Sequence, residues 1–170
     1  RKQREAEILF EAMHTGHAVY ATLHADNAAQ TISRLTNPPV NIPKQMIDAL
    51  SGIVVQYRHR RFNIRRTLEF AEVQRGGDPN VLYRWDVKSD KILEANKMVT
   101  LAGTLSLYAG LTQKEIDQDI GDKADIIKWM VKRGYKDVNT VGEVVSRYYV
   151  NPEEVLSMAK KNSEWGTVYK

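Results

Sequence analysis

The feature that most constrains this chain is a turn cluster near its middle, Arg75-Gly76-Gly77-Asp78-Pro79, because the apolar pattern changes period across it. Before the cluster, helical spacing alternates with strand-like runs; beyond it, one strand is followed by helical spacing alone. Charge divides there too. Residues 1–75 hold 11 Lys+Arg against 7 Asp+Glu and the remainder 14 against 14, so the whole net charge of +4 lies in the first part. No cysteine occurs, which excludes disulfide scaffolds, thiol catalysis and cysteine-ligated zinc. The longest apolar stretch, Met98 to Leu111, is broken by Thr100, Gly103, Thr104 and Ser106 and falls short of the roughly 20 residues that span a bilayer. Arg1 stands where a start methionine would, so the chain is expected to be a piece of a longer protein.

Three helices and two groups of strands are expected before the turn. Ala6, Leu9, Phe10 and Met13 share one helical face, and Gly16 suits a left-handed stop. Ala18 to Leu23 is a short apolar run, the pattern of a strand buried on both faces of a parallel sheet. Asp26 or Asn27 can cap a helix bearing Ala28, Ile32 and Leu35, closed by Pro38-Pro39. Pro43 suits the first turn of a helix with Met46, Ile47 and Leu50. Ile53–Val55 and Phe62–Val73 read as strands, the second alternating Phe62, Ile64, Leu68 and Phe70 on one face. The order predicts part of an open α/β sheet with central strands missing.

After the turn, Val81, Tyr83, Trp85 and Val87 alternate in a strand expected to pair with its predecessor. Four helices follow. Met98, Leu101, Leu105 and Tyr108 stripe the first, which ends at Gly110. Thr112 with Glu115 is a capping box for the second, whose stripe of Ile116, Ile120, Ile127, Met130 and Val131 is expected in the core and which ends at Gly134. Thr140 with Glu143 repeats the box for the third, and Asn151-Pro152 starts the fourth.

The candidate chemistry lies in Thr15-Gly16-His17 and Thr22-Leu23-His24-Ala25. In open α/β sheets ligands bind at the carboxyl ends of strands, where His24 falls. A polar run leading into a helix can present an imidazole and backbone N–H groups to an anion. The alternative is that His17 and His24 only cap the two ends of a strand, since histidines seven apart on a strand fit no metal-ligand pattern. Spacing alone leaves both open. Arg58-His59-Arg60-Arg61 with Arg65-Arg66 could neutralise phosphates, with Tyr57 and Phe62 stacking on bases. Strand alternation sends neighbouring arginines to opposite faces, however, and this favours a solvated strand pair or protein interface over nucleic acid.

The segment Glu5-Ala6 through Leu9-Phe10-x-Ala12-Met13-x-Thr15-Gly16-His17-x-x-Tyr20-x-Thr22-Leu23-His24-Ala25, then Arg34-Leu35, Pro38 and Ile42-Pro43, resembles the histidine box of secretion ATPases. These are the hexameric RecA-like motors of type II and type IV secretion, type IV pilus assembly and the archaellum. Gln56-x-Arg58, Arg65-Arg66 and Glu72-Val73 resemble the strands after the box. Trp85-Asp86 and Tyr148-Tyr149-x-Asn151-Pro152-Glu153 resemble the carboxyl-terminal part of the archaeal branch.

The resemblance implies the α/β, carboxyl-terminal part of a RecA-like ATPase core over residues 1–75, a β-hairpin or connector over 76–95 and a small all-helical subdomain over 96–170. It implies a parent enzyme, an ATP hydrolase using ATP and Mg²⁺, working as a homo-hexamer. That ring would lie in the cytoplasm at the inner face of the membrane without inserting, driving filament assembly or secretion through a membrane platform protein. A nucleic-acid-binding module of a conjugation-type or other RecA-like motor is the alternative. By resemblance His24 lies near the γ-phosphate and His17 shapes the strand edge, with Thr15, Gly16 and Thr22 supporting them. Arg58, Arg65 and Arg66 take the family's basic positions, directed to subunit contacts or phosphate. No Gly-x-x-x-x-Gly-Lys-[Ser/Thr] loop occurs here, and the match places Arg1 just after the Walker B segment, so this polypeptide alone is expected to be inactive and to bind no cofactor.

Overall fold

Helix α1 (Lys2–His14) stops as its glycine predicts. Gly16 adopts φ +86°, and the N–H groups of Gly16 and His17 return to Met13 O and Ala12 O, both at 3.0 Å. Helix α2 (Ala28–Thr36) starts at Asn27, whose side chain accepts the Gln30 N–H at 2.7 Å; the short α3 (Lys44–Ile47) follows Pro43. Four strands then form a meander, β1 (Gly52–His59), β2 (Ile64–Val73), β3 (Pro79–Asp86) and β4 (Lys91–Glu94), every neighbouring pair antiparallel. The computed structural model describes residues 2–61 and 63–166, so the expected place of Phe62 on the strand face lies outside the described residues.

Two compact units result, Arg1–Thr104 and Leu105–Lys170. In the first, Phe10 of α1, Ala28 and Ile32 of α2, and Ile47 of α3 pack with Ile53 and Val55 of β1 and Ala71 and Val73 of β2. The β2–β3 turn needs its glycines: Gly76 and Gly77 have φ +90° and +85°, and a Cβ on Gly77 would meet Ile47 Cγ2 at 3.2 Å.

The expected strand at residues 18–23 does not form. These residues carry no secondary structure, and Tyr20 is 98% exposed. A strand exists only through its neighbours' hydrogen bonds, and the four strands present pair with one another, so the sheet is an antiparallel meander and the apolar run has no ladder to join. Residue alternation pointed to one strand after the turn, whereas β3 and β4 form a hairpin within residues 76–95; the four residues of β4 are exposed and it forms one edge of the sheet.

The helices are α4 (Thr100–Ala109), α5 (Gln113–Arg133), α6 (Val138–Val150) and α7 (Pro152–Lys161). The Thr112–Glu115 capping box forms in both directions, Gly134 ends α5 at φ +74°, and the Asn151 side chain accepts the Glu154 N–H. The box expected at Thr140 is corrected: α6 begins at Asp137, whose carboxylate accepts the Thr140 N–H at 2.8 Å, so Thr140 lies inside the first turn. The core of the second unit is Ile126, Trp129 and Met130 of α5 with Val144, Val155 and Met158. The expected α5 stripe is only partly core, for Ile116 and Met130 are buried whereas Ile120, Ile127 and Val131 are exposed. Leu105 and Tyr108 of the α4 stripe are likewise exposed.

Candidate functional site

The end of α1 fixes the first histidine. Thr15 Oγ1 has one proton and donates it to Ala12 O at 2.9 Å, while His17 Nδ1 lies 3.1 Å from the same oxygen. This contact ties the His17 ring to the end of α1 whichever ring nitrogen carries the proton. Thr22 and His24 are exposed in the unpaired segment, and no hydrogen bond joins His24 to His17 or Thr22 among the described residues. The structure thus brings Thr15, Gly16 and His17 together at a helix end and does not bring His24 to them.

The helix that follows His24 is less open to an anion than its sequence suggests. Asp26 N–H donates to Gln30 Oε1, Gln30 N–H to Asn27 Oδ1, and Ala28 N–H to Glu69 Oε2 at 3.0 Å. Three amides at the start of α2 are therefore occupied by the chain's own acceptors, and the expectation that they face a phosphate is corrected. The His24 imidazole remains. Among the described residues no group of three His, Cys, Asp or Glu side chains is arranged to hold a metal ion.

The arginines lie in the β1–β2 hairpin, where Arg58 pairs in register with Arg65 and Tyr57 with Arg66. Arg58 Nη2 donates to Asn63 Oδ1 at 3.3 Å, and Arg65 is exposed. Arg66 is committed elsewhere: its Nε and Nη2 donate to the two oxygens of Asp90 at 2.7 and 2.6 Å, and Trp85 Nε1 donates to Asp90 at 2.9 Å. The Arg66 and Trp85 donors hold the Asp90 carboxyl at a pKa of about 2, and the same contact raises the pKa of Arg66.

Sequence reasoning passed over two buried carboxylates on β2. Glu69, 6% exposed, accepts the first amide of α2 and pairs with Arg84 at 2.9 Å. Glu72, fully buried, accepts from Asn80 Nδ2 at 2.7 Å and from the Val99 and Leu101 amides at 2.9 Å each. Burial pushes the Glu72 pKa up, but these donors together with Thr100 outweigh it and hold the carboxyl below its ordinary value. The legible signal was Leu68-Glu69-Phe70-Ala71-Glu72-Val73, a strand apolar on both faces with carboxylates set into it.

No helix among the described residues is long and apolar enough to cross a membrane. An uncharacterized protein of Methanocaldococcus jannaschii is 33% identical over 79% of this chain and 20% of its own length. A second from the same organism is 31% identical over 75% of this chain and 50% of its own. The type IV pilus assembly ATPase PilB of Thermus thermophilus is 37% identical over 54% of this chain and 10% of its own length. The chain therefore spans half or less of the length of these relatives. The family model described as type II/IV secretion system protein matches residues 1–98, which hold the histidines, the arginine hairpin and both buried glutamates, and with more than half of its length matched the chain belongs to that family.

Proposed function

We propose that this chain is the carboxyl-terminal part of a secretion, type IV pilus or archaellum assembly ATPase. The whole protein would be a cytoplasmic homo-hexamer that couples ATP hydrolysis to filament assembly or protein secretion through a membrane platform. The observation that carries this reading is the family match over residues 1–98, which encloses His17 and His24 in a segment left open. An apolar run with exposed backbone, such as residues 18–23, is what a central strand becomes without its neighbours, and we assign those neighbours to a RecA-like sheet in the rest of the parent protein.

ATP and Mg²⁺ would supply the transferable phosphoryl group and part of its charge neutralisation. Within this chain the exposed His24 imidazole can donate a hydrogen bond to a phosphate oxygen, and His17 is tied to the end of α1 through Thr15 Oγ1. Thr15 and Gly16 hold His17 in place, and Thr22 is in reach of the same edge by sequence. The occupied amides of α2 contribute nothing to phosphate binding, so affinity belongs to the parent's other segments. Arg58 and Arg65 are the arginines assigned to a neighbouring subunit or its phosphate, since Arg66 is engaged by Asp90. The helical part, with lysines and aspartates on its exposed faces, is assigned to reversible contact with the platform.

The test uses the full-length parent. His24→Ala should lower turnover with little loss of nucleotide affinity, and His17→Ala should cost less. A His24→Ala rate within about threefold of wild type would remove His24 from the site. The 170-residue chain itself should release no phosphate from ATP over repeated turnovers.

A further inference from the structure

Antiparallel pairing puts two hairpin tips at one end of the sheet, the link from His59 of β1 to Ile64 of β2 and the β3–β4 turn at residues 87–90, and Arg66 bonds Asp90 across them. The first hairpin brings Arg58, Arg60, Arg61, Arg65 and Arg66, and the second brings Lys88 and Lys91. Against these seven cations stand two carboxylates, Asp86 and Asp90, in a chain whose net charge is only +4. This end therefore carries a surplus larger than that of the whole molecule, and the rest of the chain is slightly negative. Asp90 is clamped by Arg66 and Trp85, and Asp86 accepts from the Ser89 hydroxyl and amide.

The surface around the charge is also unusual. Val87, 66% exposed, sits at the second tip between Asp86 and Lys88, and Ile92 beside it on the edge strand is 57% exposed. Guanidinium and ammonium groups on projecting turns, with an apolar side chain among them, suit the headgroup layer of an anionic membrane. There the cations meet phosphates and the valine enters the interface. A nucleic-acid groove fits less well, because strand alternation divides the arginines between two faces.

We propose that the paired tips of the β1–β2 and β3–β4 hairpins dock this chain on an anionic lipid surface. The proposal does not depend on ATP hydrolysis or on the roles of His17 and His24.

The test is co-sedimentation of the 170-residue chain with phosphatidylcholine vesicles containing about one-third phosphatidylglycerol, and with pure phosphatidylcholine vesicles. Binding should require the anionic lipid and weaken as salt rises. Each basic residue at such a surface is worth about fivefold, so Arg60→Gln with Lys88→Gln should weaken binding on the order of twentyfold. Lys160→Gln with Lys161→Gln, which removes the same charge from the end of α7, should leave it within about twofold. Equal binding to both vesicles overturns the proposal, as does an equal loss in the two double variants. Tighter, salt-sensitive binding to a single-stranded oligonucleotide that Arg60→Gln with Lys88→Gln abolishes would assign the tips to nucleic acid instead.

Discussion

Leu101 donates its backbone N–H to Glu72 Oε2 at 2.9 Å, so a fully buried carboxylate on β2 holds the first turn of α4. Three residues before it on the strand, Glu69 does the same for Ala28 and α2. One strand thus anchors the N-termini of two helices, and each carboxylate supplies the negative charge that a helix N-terminus favours.

Glu72→Gln should destabilise the first unit by about 2 kcal/mol, because an amide NH₂ would face donors where a carboxylate accepted from all of them. The folded pKa of Glu72 lies below the ordinary 4.5. Its stabilisation is therefore complete above that value and is lost as the pH falls through the lower, folded one. Denaturant unfolding at neutral and acid pH should show the gap between wild type and variant narrowing below pH 4.5. A gap independent of pH would trace the loss to packing instead.

Glu69→Ala should leave the Ala28 amide buried without an acceptor, at a cost of about 2 kcal/mol. Hydrogen exchange would report it. The first turn of α2 should exchange about tenfold faster or more, while β1 changes less. Unchanged protection at Ala28 would mean that Glu69 does not cap the helix.

The Asp90 carboxyl should titrate at about 2 in a carbon-detected NMR titration and move up toward 3.8 in Arg66→Gln, since the Arg66 hydrogen bonds are the main cause of the depression. An Asp90 pKa that ignored the substitution would dissolve the link between the two hairpin tips. The same link separates the arginines functionally: reversing Arg66 should disturb the hairpin itself, whereas reversing exposed Arg65 tests its outward contacts alone.

Local signals were legible in the sequence and non-local ones were not. Gly16, Asn27, the Thr112–Glu115 box, Gly134 and Asn151-Pro152 each end or start a helix as expected, because a cap is decided within four residues. The exception is Thr140, which was expected to cap α6 but lies inside the first turn that Asp137 caps. Residues 18–23 have the composition of a buried strand, but whether a strand forms depends on partners that no local window contains. For the site, the sequence placed Thr15 and His17 beside each other, which the Gly16 turn makes inevitable. It could not show that Glu69, 41 residues beyond Ala28, would occupy the first amide of the helix that follows His24.

Helix α5 provides the sharpest test of which apolar residues matter. Ile120, Ile127 and Val131 recur at spacings of seven and four, a pattern that reads as a core stripe, yet Ile127 is 56% and Val131 72% exposed. Trp129, between them in sequence and on another face, is 3% exposed. Its ring meets Tyr135 and Trp165 edge to face at 5.7 and 6.4 Å, and its Nε1 donates to Ser163 O at 3.0 Å. Truncation there removes a large buried ring, the two aromatic contacts and the donor that satisfies Ser163. Trp129→Ala should therefore cost about 3–5 kcal/mol and melt the second unit early. Ile127→Ser and Val131→Ser should each stay within about 0.5 kcal/mol, because side chains already in water lose little by becoming polar. Thermal unfolding followed by circular dichroism separates the two outcomes. A loss at Ile127 or Val131 comparable to that at Trp129 would show that the seven-spaced stripe is buried in solution after all, and the core of this unit would have to be redrawn around it.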